Sequence, residues 1–393
     1  MIGHKVNRLF GLILVVLIIL GGLWFINNSR SIKTPSLNPK AQPGPSIGQA
    51  DEKSKGEAVS VFAKNLEVPW AIAFLPDGRL LVTERAGRVR LVENDGTLQS
   101  QPVITISEVK QTGESGLHGI ALHPDFSTKP FVYLYYTYSS SGNNSLNKVV
   151  RYSFLNNQLT EPKIIIEGIP GAIFHDGGRV KFGPDEQSSL SDKNLYITTG
   201  DAQNPSLSQD TSSLAGKILR VTDEGQPVSG NPFNSPVYSY GHRNPQGIAW
   251  DSNGQLWETE HGPSGGGLGT GNDEFNKIEV GKNYGWPEIQ GDQTKTGMTP
   301  PILHSGTDTW APAGLAFFRN SFFFGGLRGE ALYQVKFEGG PKLVTHFKGE
   351  FGRIREVILG PDNMLYITTS NKDGRGDPQA DDDKILRVNP EKL

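Results

Sequence analysis

No cysteine occurs anywhere in the 393 residues. Its absence excludes disulfides, thiolate metal centres and a lipid-modified N-terminal cysteine at once. An excess of cations is lacking as well: 38 lysines and arginines face 41 aspartates and glutamates, for a formal net charge of −3. A nucleic-acid partner is not expected, because such proteins show a basic stripe or a markedly basic domain. Any anionic ligand has to be held by cations gathered locally. Several catalytic signatures are missing too. There is no H-x-x-x-H or other zinc-type spacing, no G-x-S-x-G elbow, no Walker A sequence, and no G-x-G-x-x-G between a strand and a helix.

What the chain does hold is 48 glycines and 26 prolines, with 20% charged and 36% apolar residues. That balance suits many short strands joined by tight turns better than long helices. The long apolar run is Leu9 to Ile26, eighteen uncharged residues that as a helix cover about 27 Å, near the thickness of a bilayer's hydrocarbon core. Lys5 and Arg8 precede it, so the positive-inside tendency puts the N-terminus in the cytoplasm and the remainder outside. A cleaved signal peptide is the alternative, but no small-x-small cleavage site follows; Trp24, Phe25, Asn27, Asn28 and Ser29 stand there. Residues 1–30 are therefore expected to be a transmembrane helix anchoring the protein, or else a signal sequence. Residues 31–58, rich in Pro, Ser and Lys, are expected to be a flexible linker. The protein is then extracytoplasmic, anchored to the cell membrane or released after cleavage.

From residue 59 to 393 one phrase returns six times: a small or glycine residue, a few apolar residues, a Pro-Asp or Asx-Gly turn, and an apolar strand ending in Thr, Ser or a carboxylate. The copies lie at 71–84, 119–138, 178–201, 247–260, 314–327 and 356–370. Proline presets the first turn dihedral and Asp, Asn or Gly supplies the rest, so each copy is a hairpin by its chemistry. Segments such as RVRLV (88–92), KILRV (217–221), LYQVKF (332–337) and a second KILRV (384–388) extend the hairpins toward four-stranded sheets. One sheet per copy is a blade, and unequal repeats arranged radially argue for an all-β fold, a six-bladed β-propeller, over a solenoid. A β-sandwich built from similar hairpins is the competing architecture.

In a propeller the loop ends around the central channel face one another although they are distant in sequence. Beside the hairpins lie Gly113-Glu114, His175-Asp176-Gly177-Gly178, Gly200-Asp201, Gly241-His242-Arg243-Asn244, Glu260-His261-Gly262-Pro263, Leu327-Arg328 and Gly352-Arg353-Ile354-Arg355. His175 precedes one hairpin and Asp201 ends it, which suits a histidine base oriented by a carboxylate. A turn-capping histidine and an aspartate bonded to backbone amides fit the same spacing. Arg243, Arg328, Arg353 and Arg355 come from three repeats on one loop side. Either they converge on a multiply charged anion, an anionic cofactor being the natural choice, or each pairs with a nearby carboxylate. The glycine-rich loop 264–272, with Asp273 and Glu274 beyond it, offers the hard oxygen ligands that calcium favours, although most such loops are plain connections.

Seven stretches carry a resemblance to a known family: VPWAIAFLPDGRLLVTER (68–85), HDGGRVKFGPD (175–185), LYITTGD (195–201), GHRNPQGIAWD (241–251), EHGP (260–263), DEFNKIEVGKNYGWP (273–287) and GRIREV (352–357). In this order and at these places among the repeats, the chain resembles the quinoprotein soluble glucose dehydrogenases and aldose sugar dehydrogenases, also called glucose/sorbosone dehydrogenases, over about residues 60 to 390. The resemblance implies a six-bladed propeller that binds pyrroloquinoline quinone (PQQ) and Ca2+ at the channel mouth. It implies oxidation of the anomeric carbon of an aldose to the lactone, with an external electron acceptor. By the family's motif His175 is the general base for the anomeric hydroxyl, while hydride passes to the quinone, and Asp201 orients that histidine. Arg243 and Asn244 match residues at the cofactor's polar edge and reactive carbonyl, and Arg328, Arg353 and Arg355 match further cofactor-binding positions. Backbone carbonyls of Gly262 and Pro263 match ligands of the calcium that polarises the quinone. Glu274 and the carbonyl of Tyr284 look similar to ligands of a second, structural calcium.

The chain also departs from the family pattern. Glu114 stands where the best-known glucose dehydrogenases have Gln beside the substrate, Phe174 where they have Asp, and Arg328 where they have Lys, which keeps the charge but changes the geometry. The 264–272 loop is longer than in compact members. Two other classes compete: a binding propeller of the hedgehog-interacting type, and a calcium-dependent lactonase-like hydrolase. The joint presence of His175, Asp201, Arg243, Arg353 and Arg355 favours the dehydrogenase over the first, and no convincing carboxylate cage supports the second.

Overall fold

The structure, a computed structural model, describes residues 58–140, 144–183, 194–263 and 270–393. The anchor expected over 1–30, the linker up to residue 57, the Pro184-Asp185 turn and residues 264–269 of the glycine-rich loop lie outside the described residues. Among the described residues no helix is long and apolar enough to cross a membrane.

The chain enters on β1 (Val59–Ala63) and then builds five blades in order. These are β2 (Pro69–Phe74) to β5 (Ile104–Thr105), β6 (Leu117–Leu122) to β9 (Gln158–Pro170), and β10 (Val180–Phe182) to β13 (Val237–Tyr240), followed by β14 (Pro245–Trp250) to β17 (Leu303–His304) and β18 (Pro312–Phe318) to β21 (Lys342–His346). The sixth blade is β22 (Ile354–Leu359), β23 (Leu365–Thr369) and β24 (Ile385–Val388), with β1 as its fourth strand, Val59 lying opposite Val388. Six four-stranded antiparallel sheets thus match the six repeats, and the sandwich alternative falls.

Each repeat supplies the innermost two strands of its blade, and each part of the phrase has a physical reason. The turns close one end: Arg319 and Asn320 both take positive φ (44° and 63°) in the two-residue turn that joins Phe318 to Ser321. The threonine ending the second strand bonds to the neighbouring blade. Thr83 Oγ1 donates to the His118 carbonyl at 2.6 Å, and Thr259 Oγ1 to the Ala313 carbonyl at 2.9 Å, each carbonyl on the next inner strand. The small residue that opens a copy is needed for the same close approach. A Cβ on Gly119 would stand 2.3 Å from the Gly178 carbonyl oxygen, and one on Gly247 2.2 Å from that of Ala313. Gly247→Ala is therefore expected to cost about 1–3 kcal/mol, seen as a lower denaturation midpoint at unchanged m-value; a wild-type midpoint would show that the blades can part without penalty.

Aromatic side chains fill the space between blades, as where Trp257 stacks on Phe275 (centroids 5.0 Å apart, planes at 17°) and meets Phe322 and Phe337 of the following blade. Because every inner strand runs the same way along the channel, residues just before an inner strand and just after its partner gather at one mouth. The turns gather at the other.

Candidate active site

Glycines shape the loop that presents His175. His175 has φ +64° and Gly177 +63°. A Cβ on Gly200 would fall 1.9 Å from the His175 carbonyl oxygen, so the Gly200-Asp201 step passes beneath this loop only as glycine. Asp201 is fully buried, and its Oδ1 accepts from His175 Nδ1 at 2.8 Å. The Gln203 amide donates to the same oxygen at 2.8 Å, and the Trp286 indole donates to Oδ2 at 2.8 Å. With both oxygens engaged the carboxyl group is held in place, and its bond to Nδ1 keeps the ring proton there. Nε2 is left as an acceptor on a ring 20% exposed that lines a cavity.

That cavity, about 560 Å³, fills the channel mouth, and Glu114, Phe174, Arg243, Arg328 and Arg353 share its walls with His175. Arg243 is buried; its Nη1 donates to the His261 carbonyl at 3.1 Å and its amide to Glu260 Oε2 at 2.8 Å, while Nε has no partner. Asn244 accepts the Gly177 amide on Oδ1 at 3.0 Å and leaves a buried Nδ2 unpartnered. Arg353 donates from Nε and Nη2 to Asp373 Oδ2 at 2.9 and 2.8 Å. Arg328 is exposed and has no partner among the described residues. The two readings of the arginines thus divide between residues: Arg353 is paired with a carboxylate, whereas Arg243 and Arg328 keep donors free for a ligand. The unpartnered donors fit an anion that also carries carbonyl-type acceptors.

Arg355, like Arg243, keeps a buried Nε without a hydrogen-bond partner. It is not on the cavity wall but buried inside the channel on β22, with Nη1 donating to Gln246 Oε1 at 3.0 Å and its guanidinium 5.6 Å from the Trp70 ring centre. Burial draws its pKa down to about 9. Glu114 is on the wall and accepts from Arg375 Nη1 at 2.6 Å. Burial opposes ionisation of Glu114, but the field of His261, Arg375 and Arg355 outweighs it and draws the carboxyl to about 2. His261 is itself pulled by burial to about 3, so near neutral pH the arginines carry that effect.

His261, Arg375 and Asp373 had no role from sequence. His261 sits in the quoted motif EHGP, where the glycine and proline suggested metal-binding carbonyls instead. Arg375 and Asp373 come from the connection after β23, NKDGRGDPQADDD, which reads as an ordinary charged loop.

The residues named for calcium fall in two places. Gly262 donates its amide to Asp273 Oδ1 at 2.8 Å, and the Pro263 carbonyl accepts from Gly271 at 3.1 Å. Asp273 Oδ2 also takes the amides of Trp310 (2.6 Å) and Ala311 (2.9 Å), so one carboxylate pins the backbone that bears both carbonyls. Glu274 belongs to a separate buried group. On β16 it faces Glu260 of β15, with Asn276 facing Glu258, and Asn276 Nδ2 donates to Glu258 Oε2 at 3.0 Å and Glu274 Oε2 at 3.1 Å. His242 joins Glu258 and Glu260 in a buried set whose ligand atoms all lie within 4.8 Å of one another. The Tyr284 ring stacks on His242 with centroids 4.8 Å apart. Glu258 Oε1 and His242 Nδ1 have no hydrogen-bond partner. Burial pushes all three carboxyls up, and repulsion from Glu260 adds to it at Glu258 and Glu274. No lysine or arginine is ion-paired to them among the described residues, so they need protons or a cation, and this donor set fits a hard divalent ion.

The glucose/sorbosone dehydrogenase family model matches residues 66–386. Aldose sugar dehydrogenase YliI of Escherichia coli K12 is 30% identical over 373 residues, covering 84% of this chain and 92% of its own. The structure of PQQ-bound aldose sugar dehydrogenase from Streptomyces coelicolor matches with a TM-score of 0.76 at 39% identity, over 84% of this chain and 97% of that one. A protein from Thermus thermophilus assigned as a glucose dehydrogenase gives a TM-score of 0.78 at 44% identity, over 85% and 100%. Since the matched residues run from the segment before β2 into β24, through all six blades, the chain belongs to the glucose/sorbosone dehydrogenase family of sugar oxidoreductases.

Proposed function

We propose that this protein is a PQQ-dependent aldose dehydrogenase that oxidises the anomeric carbon to the lactone, with His175 as general base. The observation that carries this reading is a histidine fixed at Nδ1 by the buried Asp201 whose ring lines an arginine-walled cavity. His175 Nε2 takes the proton of the C1 hydroxyl, the C1 hydrogen departs with its electron pair, and Asp201 balances the imidazolium charge that results. When bound, PQQ supplies an electrophilic carbonyl for that hydride, and the calcium beside it a Lewis acid.

Arg243 and Arg328 are the residues to bind the cofactor's carboxylates, with Arg353, held by Asp373, beside them on the wall, and Asn244 Nδ2 is a donor for a carbonyl-type oxygen. Glu114, held by Arg375, offers an acceptor to the sugar's hydroxyls. Gly262 and Pro263 carbonyls are assigned to the cofactor's calcium. Glu274 and the Tyr284 carbonyl are assigned to a second calcium, together with Glu258, Glu260 and His242. An external acceptor removes the electrons, and an extracytoplasmic site anchored through residues 9–26 belongs to the same proposal.

The test is reconstitution of the purified protein with PQQ and calcium, aldoses and an artificial acceptor dye. Dye reduction requiring all components is expected. No reduction with any aldose, together with no cofactor binding by absorbance, would favour the binding propeller instead.

A further inference from the structure

At the turn end of the channel the six inner strands surround a second cavity of about 510 Å³ that is open to solvent. Every blade contributes an apolar wall residue: Phe74, Leu122, Phe182, Trp250, Phe317 and Leu359. Three charged side chains also line it, Arg179, Lys181 and Glu356. Glu356 is fully engaged. One oxygen takes Arg179 Nη1 and the Ile72 amide (3.4 Å), and the other takes the Val357 amide at 3.0 Å. Arg179, 2% exposed, donates Nε to the Gln246 carbonyl at 2.9 Å and lies 4.4 Å from the Trp70 ring centre, yet its Nη2 has no partner. Lys181 Nζ donates to the Leu315 carbonyl at 3.0 Å and has no carboxylate partner among the described residues.

Two cations and one carboxylate leave a single positive charge among apolar walls, where an uncompensated charge is costly. A neutral or cationic ligand gains nothing from that charge. An apolar monoanion covers the walls with hydrocarbon and supplies the missing negative charge. We infer that this cavity is a second ligand site, for an alkyl carboxylate whose head group binds Lys181 beside the Arg179–Glu356 pair. The site is separate from the active site, because Arg355, Gln246 and Arg179, bonded in series against Trp70, stand between the two cavities. Burial lowers the Lys181 amine only to about 8, so it is cationic at neutral pH. Val59 lies in register with Val388, Leu365 and the wall residue Leu359, so β1 begins at this end of the ring.

The test is calorimetric titration of the full-length protein with octanoate, octanol and octyltrimethylammonium. One octanoate per chain is expected, with the other two weaker by about tenfold or more. Lys181→Met should weaken octanoate by about tenfold or more, Lys181→Arg should largely restore it, and the apparent affinity for PQQ should not change in either. Phe317→Glu, which adds a like charge to the wall, should also weaken binding, so the result does not hang on one variant folding. Octanoate binding no tighter than octanol, unchanged in Lys181→Met, or displaced by PQQ would overturn the inference, the last by placing the anion at the arginine-lined mouth.

Discussion

Replacing His175 by asparagine is expected to lower turnover by about 10² to 10⁴ while PQQ still binds. Asparagine is the informative choice because His175 sits at φ +64°, where asparagine is tolerated and alanine is strained. Loss of rate then reports the missing base and not a rearranged loop. The reason for so large an effect lies in the pair: Asp201 is buried and fully bonded, so it cannot swing into the cavity and substitute. Steady-state dye reduction, with cofactor affinity by absorbance titration, checks this. A variant with wild-type turnover would remove His175 from the chemistry and leave it as a turn residue.

The second large effect is on stability. Three buried carboxyls and His242 with unpartnered atoms make the fold between β15 and β16 dependent on what neutralises them. If calcium does so, removing it should lower the melting temperature. A cation present at about 1,000 times its Kd contributes about 4 kcal/mol, which at an unfolding entropy of about 2.1 cal/mol/K per residue is about 6 °C for a propeller of this size. Glu258→Gln removes one of the repelling carboxyls, so it should raise the melting temperature measured in chelator and shrink the increment on adding calcium. Both should be measured without PQQ, to keep the channel-mouth calcium out of the comparison. An unchanged melting temperature in chelator, for wild type and variant alike, would mean that protons and not a cation hold the cluster.

The parts of this molecule legible in the sequence are those set by local chemistry. Pro-Asp and Asx-Gly turns, the glycine that opens a copy and the threonine that closes it each act within one hairpin or on the next, so the phrase recurs wherever a blade does. His175 and Asp201 were legible for a related reason: they flank a single hairpin, and closing that hairpin brings them together. Depth along the channel was not legible. Arg353 and Arg355 read as a pair, but two residues on a strand span about 7 Å, enough to put one on the wall and the other below the floor. The group of His242, Glu258 and Glu260 was hidden differently. Glutamates two apart in a strand normally mark a solvated face, and only the arrival of β16 and the His242 loop from outside the hairpin turns them inward.

The closure of the ring through β1 has a consequence for biosynthesis. The strand at Val59–Ala63 has its partner at Ile385–Val388, so a ribosome makes one half of the clasp first and the other half last. Throughout elongation β1 has nothing to pair with, and blade six stays open until nearly the whole chain has emerged. A nascent chain therefore carries unpaired strand edges, the surfaces most prone to adding foreign strands, for as long as synthesis lasts. A chain that stops before β24 would have five complete blades and no means of fastening them.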